Sequence, residues 1–196
     1  MVGKTSVVTS ERFALGLSYK EYLSQIKVNK DRFQQFYDGC QLTPADAEFF
    51  RKAARLPKGP AKMLILGEDW CPDVYRGMPA MARVAEAAGI EMRVFPRDQH
   101  LDIMNEFLNH GQFLSIPVAV FYTKDLQYIC HWIERPALAN QERAQIEKEV
   151  HESMPTADDQ AIRAEIRPRT QARQSAWQQE SIHEMHQMLA ERLGTR

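Results

Sequence analysis

The segment that most constrains this chain is a run of four large apolar residues, Met63-Leu64-Ile65-Leu66, set between Pro57-Lys58-Gly59-Pro60 and Gly67. It is too short for a helix and continuous rather than alternating. That is the pattern of a strand covered on both faces, which requires helices on either side of a sheet. The following segments agree. Met78 to Ala88 has helical spacing (Met81, Val84, Ala85, Ala88) and stops at Gly89. Ile90 to Phe95 alternates as a strand does, and Leu101, Met104, Phe107 and Leu108 repeat as one face of a helix ended by Gly111. Pro117 to Tyr122 reads as a strand, Thr123 to Leu126 as a turn, and Gln127 to Ile133 as a partner strand. The order β-α-β-α-β-β predicts an α/β sheet with helices on both faces.

Helices are expected on either side of this core, dividing the chain into an N-terminal helical segment (1–58), the α/β core (59–139) and a helical extension (140–196). Ser18 is placed to cap a helix carrying Tyr22, Leu23 and Ile26. A second helix carries Phe33, Phe36 and Tyr37 and ends near Asp38-Gly39, where glycine suits a left-handed stop. Thr43-Pro44 opens a third, with a capping hydroxyl and proline at the first helical position. These aromatic residues read as core. In the extension, Pro168 is expected to separate two helices. Ile182, Met185, Leu189 and Leu193 form a narrow apolar stripe that needs a cover: the core, the N-terminal helices or a second copy of the chain.

A net charge of −1 in 196 residues gives no reason to expect nucleic acid or an anionic membrane as partner. No apolar run approaches the roughly 20 residues that span a bilayer, and Met1 to Ser10 lacks the apolar centre of a signal peptide. Three scattered cysteines (Cys40, Cys71, Cys130) do not make a disulfide framework. These features together predict a cytoplasmic protein with reduced thiols.

The chemistry concentrates at Trp70-Cys71-Pro72-Asp73-Val74, between the buried strand and the next helix. A cysteine there faces outward-pointing backbone N–H groups, which favour thiolate over thiol. Asp69 and Asp73 oppose this, and Arg76 and Arg97 are cations that would offset them. A dithiol redox site would carry its second cysteine at the position of Val74, which cannot form a disulfide.

Together with Ser115-Ile116-Pro117-Val118 before the next-to-last strand and Pro96-Arg97-Asp98 between, this motif resembles the thioredoxin superfamily. Within it, the chain looks like a bacterial thioredoxin-like subgroup with Trp-Cys-x-Asp-Cys motifs. The resemblance covers roughly the central two-fifths of the chain. It implies a thioredoxin-like fold in which the Ile116-Pro117 bond is cis and faces Cys71, leaving backbone groups of Ile116 open to an extended substrate. The sequence departs from the family at Val74 and at Ile65, which stands nearest to the position of the buried acid that thioredoxins use for proton transfer.

The expected site therefore has Cys71 as nucleophile, Trp70, Pro72, Ile116 and Pro117 as substrate-binding residues, and Asp73, Val74, Arg97 and Asp98 in support. Asp73 and Asp98 each read as a helix cap. The leading function is thiol exchange or oxidoreduction by one cysteine, acting on protein or low-molecular-weight thiols and disulfides. The alternative is a redox-inactive module that binds a peptide or partner in the Trp70/Pro117 groove. Cys130 reads as a small core hydrophobe, and Cys40 as a candidate resolving thiol at a helix end. His183 and His186 share a helix face without zinc-protease spacing or an evident third ligand, and read as solvated. No metal or cofactor is implied, and the C-terminal helices are candidates for homo-oligomer contacts.

Overall fold

The computed structural model describes residues 6–195, so part of the polar stretch Met1 to Ser10 lies outside the described residues. Four strands, β1 (Lys62–Gly67), β2 (Glu91–Pro96), β3 (Val118–Tyr122) and β4 (Tyr128–Ile133), form one mixed sheet in the order β2-β1-β3-β4. β1 runs parallel to β2 and antiparallel to β3, and β3 pairs antiparallel with β4. Met63, Leu64, Ile65 and Leu66 are fully buried in β1, an inner strand of the sheet.

Helices cover both faces, as the β1 pattern requires. The alternation of β4 makes the two sides visible: Trp132 donates from its indole to Glu184 of the C-terminal helix, while the neighbouring His131 ring meets Phe107 on the other side. Cys130 is buried and points away from His131's side, as expected of a small core residue.

The N-terminal helices are α1 (Ser10–Ala14), α2 (Tyr19–Gln25), α3 (Lys30–Gly39) and α4 (Pro44–Ala54). Ser18 caps α2 in a reciprocal box with Glu21, and Thr43 caps α4 ahead of Pro44. Between α1 and α2, Leu17 exchanges backbone hydrogen bonds with Val94 and so covers the outer edge of β2. Gly39 does not supply a left-handed stop: it is the last helical residue of α3, and the cap at Cys40 has φ −80°. That places Cys40 inside the core rather than at an exposed helix end.

α5 (Pro72–Ala88) begins at the motif itself, six residues earlier than apolar periodicity alone suggests, and stops at Gly89 with φ 69°. The helix after β2 is shorter than its apolar spacing predicts. α6 covers Leu101–Met104 only, and hydrogen bonds from Glu106 to Ile103 and from Phe107 to Met104 continue it as tighter turns. Such turns still deliver Phe107 to the core while freeing Asn109 to bridge Phe113, so Gly111 belongs to a loop.

The extension consists of α7 (Ala137–Ser153) and α8 (Asp159–Leu193), and the break falls at Pro155 rather than Pro168. Pro168 lies within α8, where it and Ala164 are exposed, so the carbonyl deprived of its N–H partner is open to water. Arg169 pairs with Glu165 across the proline and Arg173 with Glu142 of α7, holding the helix through it. Ile182, Met185 and Leu189 of the stripe are fully buried within the chain, where α8 meets α4, α5 and β4.

Candidate functional site

Cys71 is the residue before α5, in extended conformation (φ −86°, ψ 124°), with Pro72 at the first helical position. Its thiol is half-buried and donates to the Ile116 carbonyl at 3.8 Å. The Ile116-Pro117 peptide is cis. Pro117 packs close against α5, since a Cβ on Gly77 would lie 3.2 Å from its ring. The motif and the Ile-Pro segment are thus brought together as the resemblance implies. The Ile116 N–H makes no hydrogen bond among the described residues.

The electrostatics of Cys71 differ from expectation. Burial pushes the thiol pKa up, and the Asp73 charge adds to the rise. The N–H groups of Val74 and Asp73 and the charge of Arg135 pull it down without reversing the shift. A helix start lowers a thiol pKa only while the sulfur remains hydrated or charge-compensated. Here burial outweighs it. Neither other cysteine is an accessible resolving thiol: Cys40 and Cys130 are buried, with pKa values pushed up to about 11 and about 12 by burial. Val74 is fully buried, its methyls against Gly67.

Asp73 is not a helix cap. It sits in the first turn of α5, buried, with Oδ1 2.7 Å from Arg76 and Oδ2 3.0 Å from Arg135. Arg76 is itself 1% exposed and lies over the Trp177 ring of α8 at 5.6 Å. Burial draws the pKa of its guanidinium down, and Asp73 opposes that. Arg135 follows β4, where the Glu134 N–H donates to the Pro117 carbonyl, so this ion cluster ties α5 to the strand end beside Pro117. The sequence reading missed Arg135 and Trp177 because both come from distant segments.

Trp70 is half exposed, and the Arg97 guanidinium stacks on its ring at 5.2 Å. Arg97 also donates to the Leu114 carbonyl and to Asp98, so it forms a wall beside Trp70 rather than offsetting charge at the thiol. Asp98 caps nothing: its side chain accepts from Arg97 and its N–H donates to Glu68. Leu101, Phe113 and Leu114 are exposed apolar side chains contributed by this same stretch of chain. Asp69 turns to the N-terminal segment, accepting from the N–H groups of Lys27 and Val28, and Asn29 donates to its carbonyl. Beside it, Tyr22, Glu68 and Asp69 help line a surface cavity of about 220 Å³. Burial raises the Glu68 pKa, partly countered by the Asp98 N–H.

His186 does not lie on a solvated face. Its Nδ1 is 2.7 Å from Asp46 of α4 and its ring stacks on Phe49 at 3.8 Å, whereas His183 is exposed.

Comparison with known proteins bears on the fold. No curated protein matches the chain. Among solved structures, a protein of unknown function from Pseudomonas aeruginosa superposes with a TM-score of 0.65 at 15% identity, over 94% of this chain and 98% of that one. An HIV epitope-scaffold superposes with a TM-score of 0.65 at 15% identity, over 95% and 99%. At that identity the likeness concerns the fold. The thioredoxin family profile matches residues 16–149, more than half of the sequence, taking in the motif, the cis-proline segment and all four strands. The chain belongs to the thioredoxin family.

Proposed function

We propose that this chain is a thioredoxin-fold interaction module that holds an extended segment of a partner in the groove between Trp70 and Pro117, with Cys71 kept as a neutral thiol. It reads as a divergent member of the bacterial subgroup whose Trp-Cys-x-Asp-Cys motif it retains as far as Asp73. The observation that carries the proposal is the state of Cys71: desolvated, donating to the Ile116 carbonyl, and raised in pKa. A thiolate at that position would face a carbonyl oxygen and an aspartate. Val74 and Ile65 remove the partner thiol and the proton-transfer acid, while the elements of a groove remain. The exposed Trp70 supplies an aromatic surface, Arg97 and Leu114 extend it, and Ile116, itself buried, keeps an N–H with no hydrogen-bond partner among the described residues for an extended backbone to reach.

A second reading, single-cysteine thiol exchange, is favoured by the N–H groups of Asp73 and Val74, which act on the Cys71 sulfur and would stabilise a thiolate once a substrate displaced the Ile116 contact. Affinity selection of a displayed peptide library on the Cys71→Ser protein separates the two. The interaction reading predicts enriched peptides that compete for one site and lose about tenfold or more in affinity on Trp70→Ala. Peptides captured only when Cys71 is present, and released by a reductant, would overturn it in favour of exchange.

A further inference from the structure

Away from Cys71, α4 and α8 bring together three side chains that the thiol chemistry does not use. Asp46 lies in the first turn of α4, its Oδ2 accepting from the Thr43 hydroxyl at 2.7 Å. Its Oδ1 is 2.7 Å from Nδ1 of His186, whose ring is clamped by stacking on Phe49. His183, one turn earlier on α8, places its ring 6.3 Å from that of His186. Side chains three apart on a helix share a face and converge on one point. One donor atom from each of Asp46, His183 and His186 lies within 4.8 Å of the other two.

We propose that Asp46, His183 and His186 form a binding site for a divalent transition metal ion, with zinc as the preferred ion. Two imidazoles and a carboxylate suit zinc far better than magnesium or calcium, which call for all-oxygen shells. Ligand bonds of about 2.0–2.1 Å in a tetrahedron put donor atoms about 3.3 Å apart. Closing from the present spacing therefore requires a movement of at most about 1.5 Å by the exposed His183 side chain, whose Nε2 leaves its 2.7 Å contact with the Gln187 amide. Asp46 and His186 are already supported by Thr43 and Phe49, as ligands in metal sites are by outer contacts, and their direct contact of 2.7 Å must open by about 0.6 Å for both to bind one ion. Three protein ligands leave a fourth position for water, and His186 also borders a surface cavity with Gln187, Glu191 and Thr195. A metal here joins an N-terminal helix to the C-terminal one.

The test is titration of the full chain with Zn²⁺, and separately with Co²⁺ as a spectroscopic stand-in, under reducing conditions. One ion is expected per chain, with a tetrahedral cobalt spectrum of nitrogen and oxygen ligation. With zinc about a hundredfold above its dissociation constant, Tm should rise by about 5 °C or more, reversed by a chelator. His183→Gln should keep the metal-free Tm, because that side chain is exposed, and should weaken binding about tenfold or more. His186→Gln should weaken it as well. Three results would overturn the site: no stoichiometric binding at about 100 µM zinc, well above the dissociation constants of structural zinc sites; wild-type affinity in His183→Gln; or a thiolate-to-cobalt charge-transfer band, which would place the ion on a cysteine.

Discussion

Asp73→Asn isolates the part of the site that the fold depends on most. Asp73 is the anionic centre between two guanidinium groups, at 2.7 Å from Arg76 and 3.0 Å from Arg135, with the Arg76 side chain 2% and the Asp73 side chain 9% exposed. Each pair at such contact is worth about 4 kcal/mol in gross Coulomb energy at an effective dielectric near 20, much of it offset by the cost of burying the charges. Asparagine preserves the volume but leaves Arg76 buried with the Trp177 face as its main remaining compensation, since its Nε and Nη2 have no hydrogen-bond partner among the described residues. Breaking a buried pair from one side costs about 3–5 kcal/mol, and the lower figure applies here because the asparagine carbonyl keeps a negative dipole against the two guanidinium groups. For a urea slope of about 2 kcal/mol/M, a loss of about 3 kcal/mol moves the unfolding midpoint down by about 1.5 M. Asp98→Asn is the control. Its side chain is 55% exposed in a pair with Arg97, and its removal should move the midpoint by less than about 0.3 M. A shift below about 0.5 M for Asp73→Asn, or equal shifts for the two variants, would refute the view that this cluster anchors α5.

Two further predictions concern the thiols. Unfolded cysteines ionise near about pH 8.5, whereas Cys40 and Cys130 hold their protons in the fold until about pH 11 and about pH 12. Because the folded values are raised, their contribution is fully present below the unfolded pKa and is lost as pH rises through and beyond it. Stability should therefore fall between about pH 8.5 and pH 11, with a shallower slope in Cys130→Ala; an unchanged slope would refute this assignment. Val74→Cys should cost about 1 kcal/mol for the lost methyl and, on mild oxidation, form an internal disulfide with Cys71, seen as the loss of a hydrogen pair by mass. Persistent free thiols would show that this turn no longer has the geometry of a dithiol site.

The sheet was legible because it depends on local patterns, a continuous apolar run and period-two alternation, whereas the meeting of Cys71 with Ile116-Pro117 was legible only through the resemblance of their motifs to the thioredoxin superfamily. What was not legible depends on partners far apart in sequence. Cys71 stands where a helix start would lower its pKa, yet its burial and the inward-facing Asp73 decide the opposite. Asp73 reads as a cap until Arg135, 62 positions away, is seen to claim it. Pro168 looks like a helix boundary because the solvent that receives its freed carbonyl, and the Glu142 and Glu165 contacts around it, are not written in its neighbours. His186 looks solvated until α4 supplies Asp46 and Phe49.

The pH dependence of Cys71 alkylation by iodoacetamide, followed at that residue by peptide mapping, tests the central claim most directly. A module with a protonated, desolvated thiol predicts an apparent pKa above the ordinary value of about 8.5 and slow modification at neutral pH. An apparent pKa clearly below that value, with rapid mixed-disulfide formation on adding oxidised glutathione, would contradict the account and make Cys71 a working nucleophile.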